Sequence, residues 1–274
     1  NRHVYRYNEM EYLDDVAQSL YVVSADGGEV RCLTSDRTTS SVPQWSPDGS
    51  RIVFRSNRGN NRRQNLYQKN SSGAGNEELL FENSGSPILN PQDWSLDGRF
   101  LVYFTLGEKT GADLWVVPFE GDRKPSPYLQ TPANESHAQL SPDGRWMAYA
   151  SDESGRPEVY IQSFPTPGGK RQVSTNGGLQ PRWRGDGQEL YYLASDLKLM
   201  VAPVRSDSAG ARLEVGAPTA LFQTRLPSQG VAAPDSRQNY DVTADGQRFL
   251  LNQAPEESGS PITVILNWTA GLKR

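Results

Sequence analysis

Trp45 to Phe54 reads WSPDGSRIVF, and its Ser46-Pro47-Asp48-Gly49 core dictates a tight turn. Proline presets φ at the second turn position, and glycine supplies the left-handed conformation needed at the fourth. The run behind the turn, Ile52-Val53-Phe54, is too continuously apolar for a half-exposed strand, so it predicts a strand buried on both faces. The phrase recurs as WSLDGRFLVY from Trp94, LSPDGRWMAY from Leu140, WRGDGQELYY from Trp183 and VTADGQRFLL from Val242. Its Asp-Gly pairs begin at Asp48, Asp97, Asp143, Asp186 and Asp245, at intervals of 49, 46, 43 and 59 residues.

A second phrase follows most turns and predicts a third strand: NLYQK at Asn65, DLWVV at Asp113, EVYIQ at Glu158, LKLMV at Leu197 and ITVIL at Ile262. A weaker fourth segment comes next, as in EELLF ending at Phe81, KRQVS ending at Ser174 and TALFQ ending at Gln223. Four strands repeated every roughly 40 to 50 residues are the blades of a propeller. NRHVYRY from Asn1 aligns with SRIVFRS from Ser50, and SLYVV from Ser19 aligns with the third-strand phrase, which adds a sixth copy. The expected fold is therefore an all-β, six-bladed propeller with four-stranded antiparallel blades and an incomplete first blade. Residues 1–274 read as one domain, expected to be the carboxyl-terminal piece of a longer polypeptide that begins just after a turn. Trp45, Trp94 and Trp183 share one offset before their turns and are expected to pack between blades. Val242 takes that place in the last copy, and the 59-residue interval points to an insertion around residues 228–236.

Composition agrees with this reading. Of 274 residues 25 are Gly and 19 Pro, favouring turns over long helices, while 35% are hydrophobic and can fill a core. A net charge of −4 supplies no basic field for nucleic acid, and no apolar run is long enough to insert in a membrane. A single cysteine, Cys32 in VRCLT, excludes an internal disulfide framework and any multi-cysteine metal site.

With WSPDG, RIVF and NLY on the page, the chain resembles the TolB-type, WD40-like propeller repeats of bacterial proteins along essentially its whole length. Such repeats occur in TolB, in the propellers of prolyl-oligopeptidase-type peptidases, and behind bacterial serine/threonine kinase or regulator domains. The tail PITVILNWTAGLKR from Pro261 is similar to the closing segment of the kinase and regulator group. The resemblance implies an interaction or sensor module that binds a protein or peptide, with a small ligand as the lesser possibility. It leaves open a substrate-gating propeller of a peptidase and a free-standing partner protein.

Motifs for catalysis are sparse. The chain has two histidines, His3 and His137, and no Gly-x-Ser-x-Gly elbow, phosphate-binding loop or His-Arg-Asp kinase signature. SGAGNEE from Ser72 lacks the third glycine and following helix of a dinucleotide site. No catalytic, cofactor or metal residue is therefore assigned, and no enzyme activity is expected of the chain itself. Arg184-Gly185-Asp186 spells an adhesion tripeptide but fills the slot of Ser-Pro-Asp in other copies, so it reads as a turn. Asn-x-Ser/Thr sequons at Asn70, Asn134 and Asn267 carry meaning only in a secreted eukaryotic chain. Propellers commonly take ligands where second-to-third-strand loops and blade-to-blade connections surround a channel mouth. The basic loop residues Arg58, Arg62 and Arg63, together with Glu108, His137, Arg156 and Arg182, are the candidates for that rim.

Overall fold

The computed structural model describes residues 3–4, 19–24, 28–34, 39–58, 64–82, 86, 88–207, 212–226, 238–253 and 263–266. Arg62, Arg63, Asn267, residues 228–236 and most of the amino-terminal phrase and the tail lie outside them. The regular structure of the described residues is all strand, in six sheets that follow chain order. The first joins β1 (His3–Val4), β2 (Tyr21–Ser24) and β3 (Arg31–Cys32), three strands among the described residues. The second holds β4 (Ser40–Trp45), β5 (Arg51–Ser56), β6 (Asn65–Asn70) and β7 (Glu78–Phe81), and the third β8 (Leu89–Trp94), β9 (Phe100–Gly107), β10 (Gly111–Pro118) and β11 (Ser126–Leu129). The fourth holds β12 (Glu135–Leu140), β13 (Trp146–Ser151), β14 (Glu158–Ser163) and β15 (Arg171–Gln172).

The fifth sheet departs from the four-strand pattern. It contains β16 (Gly178–Trp183), β17 (Glu189–Ala194), β18 (Lys198–Ser206), β19 (Leu213–Val215) and β20 (Thr219–Gln223). Nine-residue β18 pairs with β20 through its first half and with β19 through its last three residues, so one long strand serves two partners. Part of the 59-residue interval is thus spent on β19, a strand absent from the sequence-based expectation. The sixth sheet joins β21 (Tyr240–Val242), β22 (Arg248–Leu251) and β23 (Thr263–Leu266).

The repeated turn is closed by a hydroxyl and a carboxylate. Ser46 Oγ donates to Asp48 Oδ1 at 2.6 Å and accepts from Arg51 N at 2.9 Å, while Asp48 Oδ1 accepts from Ser50 N at 3.0 Å. These bonds satisfy backbone donors that the hairpin leaves free. Held first by the Ser46 hydroxyl and then by Ser50, the Asp48 carboxyl stays down at about 2. Ser95 with Asp97, Ser141 with Asp143 and Thr243 with Asp245 repeat the contact. In the fifth sheet Arg184 replaces the hydroxyl and reaches Asp186 at 3.3 Å and Glu189 at 3.5 Å.

Behind each of the first four turns the second strand is buried on both faces, most fully in β13, where all six residues are buried. β22 instead alternates, with Phe249 and Leu251 buried and Leu250 exposed. The first strands contain a feature without a sequence signature. Three residues before Trp45, Leu140 and Trp183 stand Val42, His137 and Gln180, with φ of 53°, 54° and 54°, each inside a register shift against the second strand. Such a left-handed residue in a bulge costs roughly 1–3 kcal/mol where it is not glycine. β8 carries its register shift at the corresponding Pro91, whose ring excludes positive φ.

The chain divides into two compact units, Asn1–Gly107 with Val116–Pro125, and Glu108–Trp115 with Ser126–Arg274. In the first, Leu20, Val22, Leu33, Ile52 and Phe54 form a buried cluster with Trp45 and Tyr67 packed against it. In the second, Trp146, Val159, Ile161, Trp183, Leu190 and Val204 join the fourth sheet to the fifth. Tyr191, Leu199, Tyr240, Phe249 and Leu251 join the fifth to the sixth. Each such side chain contributes roughly 1.5–3 kcal/mol by leaving water.

Candidate functional site

Within the second unit, the turn joining β13 to β14 and the connections β11 to β12 and β15 to β16 share one end of their sheets. Three acids there are buried. Glu158 opens β14 and is fully employed: Oε1 accepts from Gly177 N at 2.9 Å and Arg156 Nε at 2.8 Å, and Oε2 accepts from the Ser174 hydroxyl. It ties the outgoing loop of its own blade to the entry of the next.

Asp113 and Glu135 are only half employed. Asp113 Oδ2 accepts from Thr110 Oγ1 at 2.7 Å and Gln130 Nε2 at 3.3 Å, but its Oδ1 meets no donor among the described residues. Glu135, 1% exposed at the start of β12, accepts from the Thr131 hydroxyl through Oε1, and its Oε2 meets no donor among them either. Burial pushes the Glu135 carboxyl up to about 7, and the negative charges of Asp113 and Glu153 add to that push while the Thr131 hydrogen bond opposes it. A buried carboxylate oxygen without a donor is costly, and protonation or a cationic ligand relieves it.

A cleft of about 430 Å³ at the same end is lined by Thr131, Pro132, Ala133, Asp152, Glu153 and Gly155. Thr131 is therefore both a wall of the cleft and the donor to Glu135. Asp152 is held by Asn134, whose N and Nδ2 donate to Oδ1 and Oδ2 at 2.8 and 2.7 Å. Asn134 Oδ1 in turn accepts from Ala112 N at 3.0 Å, which fixes the start of β10 to the same loop. Glu153 pairs with Lys170 at 2.6 Å. Among the described residues, no group of three or more His, Cys, Asp or Glu is arranged to hold a metal ion.

The rim candidates separate into distinct environments. Arg58, in the first unit, is locked: Nε donates to Ser56 at 3.1 Å, Nη2 to Ser40 at 3.1 Å, Nη1 pairs with Glu77 at 3.2 Å, and the guanidinium lies 5.0 Å from the Tyr67 ring centre. Arg62 and Arg63 fall outside the described residues. Glu108 is exposed in the β9–β10 turn, and Arg156, half exposed beside the cleft residue Gly155, leans on Glu158. His137 is buried in its bulge with Nδ1 3.0 Å from Oγ of Ser136, which is buried too. Arg182, on β16, faces Asp241 at 3.7 Å. Sequence reasoning missed Glu135 altogether and met Asp113 only as the first letter of a strand phrase. The available signal was an acid in a strand whose neighbours are all destined for burial.

The repeated turn, the buried second strand and the blade-by-blade meander define a TolB-like β-propeller. The chain is 30% identical over 154 residues to a protein TolB homolog of Chlorobium luteolum, matching 54% of this chain and 32% of that protein. It is 28% identical over 160 residues to the Tol-Pal system protein TolB of Bordetella pertussis, at 52% and 31% coverage. The chain thus spans about a third of the length of these curated relatives. Among solved structures, TolB from Acinetobacter baumannii superposes with a TM-score of 0.65 at 18% identity, over 91% of this chain and 57% of that one. An oligogalacturonate lyase in complex with manganese gives 0.61 at 14%, over 93% and 69%. No family model matches the chain. At such identities the structural likeness speaks for the fold, which hosts binding proteins and enzymes alike.

Proposed function

We propose that the chain is a non-catalytic interaction propeller that binds a protein partner through the loop end carrying Glu108, Arg156 and the Thr131 cleft. It acts as the carboxyl-terminal domain of a bacterial serine/threonine kinase or transcriptional regulator, with residues 1–274 forming one domain. The observation that carries the binding role is the loop end of the second unit, where the buried acid Glu158 and the Asn134 side chain tie neighbouring loops together near a cleft. Rigid loops on a β scaffold lose little entropy when a partner docks. The Tol-Pal naming of a relative supports a protein partner, and the tail beginning at Pro261 supports the kinase or regulator parent. Photo-crosslinking side chains placed at Glu108 and Arg156 in cells should yield protein adducts, whereas the same groups at Asp97 and Asp186, in the repeated turns, should not. Adducts confined to the repeated turns would overturn the assignment of the binding face.

A further inference from the structure

We infer that Asn176 is a latent deamidation site, held in check by a clamp that Glu158 and Ser195 place on the Asn176–Gly177 peptide unit. This goes beyond the propeller's role as an interaction module and does not rest on it.

Asn176–Gly177 is the one Asn-Gly step in the chain. Asparagine before glycine is the step most open to this chemistry, because no Cβ shields the following backbone nitrogen and the glycine backbone turns freely. In the reaction Gly177 N attacks Asn176 Cγ. The N–Cγ bond forms, the Cγ–Nδ2 bond breaks, and ammonia leaves with the proton from Gly177 N. Water then opens the cyclic imide at one carbonyl or the other, giving aspartate or isoaspartate at position 176. Nothing is oxidised or reduced. Asn176 itself is exposed, so water is at hand for ring opening.

The structure acts on the attacking group. Gly177 N donates to Glu158 Oε1 at 2.9 Å, and the carbonyl of the same peptide unit, Asn176 O, accepts from Ser195 Oγ at 2.8 Å. Ring closure has to turn this peptide plane until its nitrogen faces Cγ, and both polar groups of the plane are tied. Attack also requires the nitrogen to give up its proton. That would set a negative amide against the carboxylate that accepts from it, where Glu158 is 1% exposed and little water screens the pair.

The neighbouring peptide units are held as well. Thr175 O accepts from Arg156 Nη2, and Gly178 N donates to Pro157 O at 2.9 Å. Gly177 sits at φ +88°, and a Cβ there would lie 2.9 Å from Ser195 Cβ, so the backbone packs directly on Ser195. Three successive peptide units, from Thr175 to Gly178, are thus each fixed to a residue outside the loop.

The change runs one way. Isoaspartate lengthens the backbone before Gly177 N and shifts that N–H off Glu158, and either product adds a carboxylate to the loop beside the buried acid. An opening of the loop that lasts long enough for ring closure is recorded covalently.

The test is incubation of the 274-residue chain at pH 8, folded and in urea, followed by tryptic digestion and mass spectrometry of the peptide from Gln172 to Arg182, with aspartate and isoaspartate separated by chromatography. Conversion should be measurable in urea and at least about tenfold slower in the folded chain, the factor that one hydrogen bond to a charged group supplies. Ser195→Ala, at an exposed position, and Glu158→Gln, which keeps an acceptor without the charge, should each speed conversion of the folded chain by about threefold or more. Ser141→Ala, at the other end of β12 and β13, loosens the blade without touching the clamp and should convert at the parent rate. Thermal melts show which variants are folded at the incubation temperature, and Ser195→Ala alone decides should Glu158→Gln not fold. No conversion in urea, a folded parent as fast as the unfolded chain, no acceleration in a folded clamp variant, or equal acceleration in Ser141→Ala overturns the inference.

Discussion

The indole of Trp94 lies flat on the ring of Phe119, their centres 4.4 Å apart and their planes within 8°. Trp94 ends β8, Phe119 follows β10, and the indole N–H donates to Gly98 O at 3.2 Å, so one side chain ties the turn to the end of a strand two places away in its own sheet. The interaction joins burial, stacking and a hydrogen bond in one residue that is 8% exposed. Trp94→Ala should cost about 3–5 kcal/mol. A thermal melt with an unchanged midpoint would show that the stack contributes nothing.

Ser141 tests the turn motif on its own. Its Oγ donates to Asp143 at 2.5 Å and accepts from Trp146 N at 3.0 Å, and the residue is buried. Ser141→Ala leaves both groups without that partner and should cost about 1–2 kcal/mol by urea denaturation. Arg184→Ala, in the turn that uses an ion pair instead, should cost less and should depend on salt.

Gly98 isolates backbone conformation from packing. It sits at φ +76°, and a Cβ placed there would meet nothing within 4 Å. Gly98→Ala should therefore cost only the left-handed penalty, about 1–2 kcal/mol, and Gly98→Asn less than that. Equal stability of all three proteins would mean that the turn relaxes to another form.

Glu135 makes stability depend on pH in a direction opposite to most acids. The folded state holds its proton up to about 7, whereas the unfolded chain releases it near 4.5. Its contribution is thus fully present below pH 4.5 and is lost as pH rises toward 7. Glu135→Gln should remove that slope and be more stable than the parent at pH 8 by about 1–3 kcal/mol. Melts at pH 4, 6 and 8 that run parallel for the two proteins would contradict this.

Much of the fold was legible because the turn phrase couples local chemistry to burial. Asp-Gly with a hydroxyl two residues earlier closes the hairpin, and an uninterrupted apolar run such as Ile52-Val53-Phe54 needs cover on both faces. The positive φ of Val42, His137 and Gln180 was not legible, because no glycine marks it and the conformation is imposed by the register shift around it. Arg58 reads in the sequence as a basic loop residue and a rim candidate, yet Phe54 and Tyr67, thirteen residues apart, form a platform that only the folded hairpin assembles beneath it. The Glu135 environment depends on Thr131 and Asp113, which belong to different sheets and connections, so no local window contains it.

Gln139 and Gln180 have a consequence for how the second unit comes apart. Gln139 Oε1 accepts from Trp183 N at 2.6 Å and Gln139 O from the Trp183 indole at 3.2 Å; Gln180 Oε1 accepts from Asn239 N at 2.8 Å and Gln180 O from the Tyr240 hydroxyl at 2.8 Å. Each glutamine thus grips the first strand of the following blade by backbone and side chain together. Detaching the sixth sheet would leave the buried Gln180 of the fifth without these partners, and detaching the fifth would do the same to the half-buried Gln139 of the fourth. Repeats that interact only with their neighbours ordinarily fray from one end. Here the free energy of opening is shared along the row, so the amide protons of Trp183 and Asn239 should exchange with deuterium in a single concerted step, the fourth, fifth and sixth sheets behaving as one foldon.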